Sequence, residues 1–163
     1  MNKLLLLQFL LFVFHASAQK ITKVERASDH STYIKGTGFE GSIFDANYPA
    51  FYSKEPNVKL YSPTANDIVL AETILRQIVD TARYYGHEYF IRKNLKKYIR
   101  QYFGYITATD EKVIYINALW KNNKDRQWLT AHIIVDDGGD YYWQIKINLS
   151  SHKCLKFAIN GEG

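Results

Sequence analysis

The chain has 163 residues, 47% of them hydrophobic and 15% aromatic, with a formal net charge of +5 at pH 7. That length suits one domain able to bury a core, and so small a positive excess is not a nucleic-acid signature. Cys154 is the single cysteine, which excludes an intrachain disulfide and leaves stability to packing.

Residues 1–18 read as a signal peptide. Lys3 gives a charged start, "LLLLQFLLFVF" (4–14) is an apolar run too short for a stable bilayer span, and Ala16-Ser17-Ala18 offers the small side chains that signal peptidase accepts. Cleavage near Ala18-Gln19 predicts a periplasmic or secreted product. No later run is long enough to span a membrane, so the mature chain is expected to have no transmembrane anchor.

Residues 19–63 show no sustained period. Gly36, Gly38, Gly41, Pro49, Pro56 and Pro63 punctuate scattered aromatics. The expectation is an irregular N-terminal arm packed on the remaining domain (64–163). Residues 19–31 are open to disorder, and a short extended piece is expected at 57–61.

A helix is expected from Thr64. Thr64-Ala65-Asn66-Asp67 has the form of a capping box with Asp in place of Glu. Ile68, Ala71, Leu75, Ile78 and Ala82 then recur at steps of three and four, placing them on one stripe that ends near Gly86. Residues 87–97 read as either a short helix or an irregular link. From residue 97 the period becomes two, predicting strands at 97–106, 112–120, 127–136 and 141–149, with a fifth near 153–159. Thr109-Asp110-Glu111, Asn122-Asn123-Lys124-Asp125 and Asp137-Gly138-Gly139-Asp140 separate them, and such short turns force antiparallel neighbours. The fold class is therefore α+β, with one main helix on a four- to five-stranded antiparallel meander.

Alternation divides the strand residues into two faces. One collects Ile99, Phe103, Ile114, Ile116, Ala118, Trp120, Leu129, Ala131, Ile133, Val135, Trp143, Ile145, Ile147 and Leu149, the face expected beneath the helix. The other includes Tyr98, Arg100, Tyr102, Tyr115, Asn117, His132, Tyr142, Gln144 and Lys146, together with Trp128, Thr130 and Asn148. Rings with polar tips suit a partly wet surface. That second face is either a bed for the N-terminal arm or a groove for a peptide, glycan or other ligand; its nine named residues are the candidate ligand-binding set.

Sites of chemistry are sparse. His132 is the titratable residue of most interest, but Asp136 lies four residues on, about 13 Å away along a strand. "GHEYF" (86–90) resembles the start of a zinc-protease helix but has Ile91 where the second histidine belongs. "DDGGD" (136–140) reads as a turn. "IRKNLKKYIR" (91–100) is basic; as a helix it would align Arg92, Lys96 and Arg100, suited to anionic lipid or polysaccharide, or it is a solvated edge. Asn148-Leu149-Ser150 matches a glycosylation sequon. Neither a cofactor, a metal nor a defined catalytic residue is predicted.

A helix on an antiparallel meander over about 57–159 resembles the cystatin-like and NTF2-like group of folds, in architecture alone; the Gln-x-Val-x-Gly loop of protease-inhibiting cystatins does not occur. The leader, "SPTANDIVLAE", "RQYFGYI" and the ending "FAINGEG" resemble small secreted proteins of Bacteroidota-type bacteria. The resemblance implies localisation and little else. The expected function is an exported binding or accessory module of inhibitor, immunity or envelope-accessory type, whose partner is a protein, peptide or glycan of the cell envelope rather than nucleic acid. The alternative is a small hydrolase or isomerase with a pocket in the curved sheet around His132, Tyr115 and Tyr102.

Overall fold

The computed structural model describes residues 19–49, 57–81, 87–121 and 125–161. The expected leader, the expected helix end at Gly86 and the expected turn at Asn122-Asn123-Lys124 lie outside the described residues. The described residues fold as mixed α and β, with eight strands in one sheet and two helices on it. In chain order these are β1 (Ile21–Arg26), β2 (Ser31–Gly36), β3 (Phe39–Phe44), β4 (Lys59–Tyr61), α1 (Ala65–Thr81), α2 (His87–Asn94), β5 (Tyr98–Ile106), β6 (Lys112–Trp120), β7 (Tyr142–Asn148) and β8 (Lys153–Ile159). The sheet order is β1-β2-β3-β5-β6-β7-β8. Beside β5, β3 occupies the first half of one edge and β4 the second.

The expected irregular arm is the main correction. Residues 21–44 form three strands, joined to β5 by a parallel pairing of Gly41, Ser42 and Ile43 with Arg100, Gln101 and Tyr102. Parallel neighbours need a long crossover, and residues 45–97 with α1 and α2 provide it. The sheet is thus larger than the four to five strands expected. The glycines here have two different roles. Gly38, at φ +77°, does make a turn. Gly41, however, lies within β3 because a Cβ there would run into the carbonyl oxygen of Arg100.

α1 starts as its sequence requires. Thr64 Oγ1 accepts the N–H of Asp67 at 3.1 Å, and Asp67 Oδ2 accepts the N–H of Thr64 at 2.9 Å. Ile68, Ala71, Ile74, Leu75 and Val79 are buried against the sheet. There they meet Ile34, Phe39 and Ile43 from β2 and β3, Ile114, Ile116 and Ala118 from β6, and Trp143, Ile145 and Ile147 from β7. Burial of a large aliphatic side chain contributes about 1.5–3 kcal/mol.

The predicted strand at 127–136 does not form. β7 pairs directly with β6, from Val113↔Asn148 to Leu119↔Tyr142, so no slot in the sheet remains for it. Residues 127–129 make a single 3-10 turn, and the segment then crosses the sheet face opposite α1. Gly138 and Gly139, both at positive φ, end this strap and lead through a second 3-10 turn into β7. They do not close a hairpin.

Candidate functional site

The nine residues expected on one binding face occupy two faces. β5 is inverted relative to the expectation. Its pairing sets Tyr98 opposite Trp120, Arg100 opposite Ala118 and Tyr102 opposite Ile116, all on the α1 side. Tyr98, Arg100 and Tyr102 are almost completely buried there, while Ile99 and Phe103 point the other way. Both sides of β5 carry rings, so alternation alone left its orientation open.

A buried charge decides the inversion. Arg100 Nε lies 2.8 Å from Glu72 Oε1 on α1, with neither side chain exposed. The guanidinium donates to the carbonyls of Tyr98 at 2.9 Å and Leu95 at 2.8 Å, and Tyr102 Oη donates to Glu72 at 2.9 Å. Burial pushes the Glu72 carboxyl above its ordinary value, against the opposing pull of Arg100 and the Tyr102 hydroxyl.

The opposite face carries Asn117, Tyr142, Gln144 and Lys146 as expected, but the strap lies across its centre. Side-chain amides hold it. Gln101 Nε2 donates to the carbonyls of Trp128 and Ala131, at 3.0 and 2.6 Å, and Gln101 Oε1 accepts from the N–H of Ile133 at 2.9 Å. Asn117 Nδ2 donates to Gln101 Oε1 at 3.0 Å and to the carbonyl of Ile133 at 2.7 Å. Gln144 donates to Asn160 at 2.7 Å, and Asn160 donates to the carbonyl of Val135. These amides act as a substitute strand edge, satisfying backbone groups that otherwise would be buried without partners. Trp128 seals the near end with Ile99 and Leu119.

His132 sits on the strap, its N–H donating to Tyr48 Oη at 2.8 Å. Its ring packs 4.8 Å from Phe103 and 6.4 Å from Tyr115. Burial pushes the Tyr115 hydroxyl up to about 12. The Lys146 ammonium lies 5.9 Å from the centre of the Tyr105 ring. A bed for the N-terminal arm or an open groove was expected of this face; its centre is instead covered by the strap.

The histidine–carboxylate pairs lie elsewhere. His30 Nδ1 is 3.3 Å from Asp45 Oδ2 in a groove of about 310 Å³ at the start of α1, floored by Val24, Thr32 and Ile43. His87 Nδ1 is 2.6 Å from Asp140 Oδ1 at the start of α2. Neither pair is recognisable from spacing, because its members are 15 and 53 residues apart respectively. Among the described residues, no group of three or more His, Cys, Asp or Glu could hold a metal ion. Cys154 is half-buried in β8, where burial pushes its thiol up. Asn148 of the sequon is buried and accepts the N–H groups of Ser150 and Ser151, both at 2.9 Å.

The α2 end of the sheet presents exposed cations beside aromatic rings. Tyr89, Arg92, Lys93 and Lys96 follow the i, i+3, i+4, i+7 spacing of one helical stripe, and all are exposed. Ile91, Asn94 and Leu95 turn inward. A 3-10 turn at Leu95–Lys97 ends this run, so Arg100 leaves the predicted basic stripe for the core. Arg92 and Lys93 lie 5.9 and 5.7 Å from the centre of the Tyr89 ring, and Lys97 lies 5.6 Å from Trp120. Phe90 stacks on Trp120 at 5.6 Å, and Tyr141 meets both rings edge-on, at 5.4 and 4.8 Å.

No protein-family model, curated protein or solved structure matches this chain.

Among the described residues, no helix is long and apolar enough to cross a membrane. The α2 end combines four cations on one short segment with broad ring faces. In the His30 groove, Arg26 is paired with Asp29, and His30 Nδ1 lies beside Asp45 Oδ2.

Proposed function

We propose that the protein is an exported binding or accessory module, of inhibitor, immunity or envelope-accessory type, that engages an anionic glycan through its α2 end. The leader at 1–18 supports export. One observation carries the choice of surface. Arg92, Lys93, Lys96 and Lys97 are exposed, and among the described residues none of the four forms an ion pair with a carboxylate. Clustered like charges attract a polyanion, while the net charge of the whole chain remains too small to do so. Tyr89 and Tyr141, 61% and 46% exposed, offer flat apolar faces with polar tips beside those charges. Sugar rings carrying carboxylates match both features: their C–H faces suit the aromatic rings and their charges suit the cations.

Binding is favoured here over the alternative hydrolase or isomerase centred on His132. That imidazole contacts rings, and Tyr102 of the same proposed pocket lies on the opposite sheet face beneath α1.

The test is titration with polygalacturonate, with neutral dextran and phosphatidylglycerol vesicles as comparisons. The protein should bind polygalacturonate, more weakly as salt rises. Replacing Lys93, Lys96 and Lys97 together by Ala should weaken binding about tenfold or more, that is, by about 1.4 kcal/mol. Equal binding by the triple variant, or equal binding to dextran, would sink the proposal. Binding to vesicles alone would replace the glycan by a membrane surface.

A further inference from the structure

β1 ends the sheet, and its residues 22–26 are all exposed. An open edge exposes unpaired backbone groups and invites a partner strand. Which groups face outward follows from the β1–β2 ladder. The N–H of Ala27 donates to the carbonyl of Ser31 at 2.9 Å. In an antiparallel ladder the bonded pairs recur at every second residue, so Glu25–Tyr33 and Lys23–Lys35 turn their backbone groups toward β2. Val24 and Arg26 turn theirs away from the sheet.

We infer that β1 pairs antiparallel with β1 of a second copy of this chain, with Val24 on the two-fold axis. In that register each Val24 exchanges backbone hydrogen bonds with its counterpart, and its side chain, 49% exposed in the single chain, covers the other. Lys23 then stands directly opposite Glu25 of the second copy, and Glu25 opposite its Lys23. Within one chain these two side chains already meet at 2.7 Å, half-exposed. Pairing turns two such contacts into an alternating square of four charges on one sheet face.

The charges also select the register. Outward-facing residues must oppose one another, so the nearest slips centre the pair on Lys23 or on Glu25. The first sets Lys23 against Lys23 and the second Glu25 against Glu25, and like charges directly opposite are destabilising. The other end of the sheet offers no such match. β8 has Lys153 and Lys156 as its charged residues, both of one sign, and a bulge interrupts its pairing with β7. One complementary edge gives a closed two-fold dimer rather than a fibre.

Analytical ultracentrifugation from low micromolar to near-millimolar concentration tests this. A monomer–dimer equilibrium is expected. Lys23→Glu alone, or Glu25→Lys alone, should weaken association at least about tenfold. The double exchange, K23E with E25K, should restore it, because opposite charges again face each other. Circular dichroism checks that these exposed substitutions leave the fold intact. A monomer at every concentration would overturn the inference. So would polymers beyond the dimer, association unmoved by K23E, or a double exchange no stronger than the singles.

Discussion

Replacing Arg100 by Met removes one partner of the buried pair and leaves Glu72 beneath the sheet with the Tyr102 hydroxyl as its hydrogen-bond donor. The carbonyls of Tyr98 and Leu95 lose their side-chain donor as well. Breaking a buried pair in this way costs about 3–5 kcal/mol. Replacing Glu72 and Arg100 together by Met leaves no stranded charge. The remaining loss is chiefly that of the buried Tyr102 hydroxyl, about 1–3 kcal/mol, so the double variant should be more stable than R100M. The pH dependence follows from the raised carboxyl. A group whose value is higher in the folded state stabilises fully below its unfolded value, here the ordinary 4.5, and loses that contribution as pH rises through the folded value. Without Arg100 the folded value rises further. The gap between wild type and R100M should therefore widen as pH rises above the ordinary carboxyl value of 4.5. Urea unfolding followed by tryptophan fluorescence measures both effects. An R100M variant within about 1 kcal/mol of wild type at neutral pH, or a gap independent of pH, would refute the reasoning.

Two further outcomes follow from the same packing. Gln101→Ala removes the amide that holds the carbonyls of Trp128 and Ala131 and the N–H of Ile133; it should cost on the order of 3 kcal/mol and speed hydrogen exchange at Ile133, read by NMR. Gly41→Ala forces a Cβ against the Arg100 carbonyl where β3 and β5 pair; it should cost about 1–3 kcal/mol or more in urea unfolding.

Local signals in the sequence carried the elements whose partners are near in the chain. The Thr64–Asp67 box set the start of α1, and alternation in 112–120 and 142–148 placed Ile114, Ile116, Trp143, Ile145 and Ile147 beneath it. Three features depended on distant partners and were not legible. Residues 98–105 are apolar or aromatic on both sides, so only Glu72, 28 residues before Arg100, shows which side faces α1. The 127–136 stretch alternates like a strand, yet its backbone bonds go to Gln101, Asn117 and Asn160, polar residues whose role appears only when the sheet is assembled. In 19–44, a glycine needed for close approach at position 41 looks the same in sequence as one needed for a turn at position 38. Of the expected site, Asn117 and Gln144 proved to be fasteners for the strap, whereas the basic segment at 91–100 contained the cations of the surface now favoured.

The central claim is that recognition occurs at the α2 end and not on the strap-covered face. Polygalacturonate affinity, measured side by side for wild type, for the Lys93, Lys96 and Lys97 triple alanine variant, and for His132→Ala with Lys146→Ala, separates the two surfaces most directly. The account predicts a loss of about tenfold or more in the first variant and wild-type affinity in the second. The reverse pattern would contradict it.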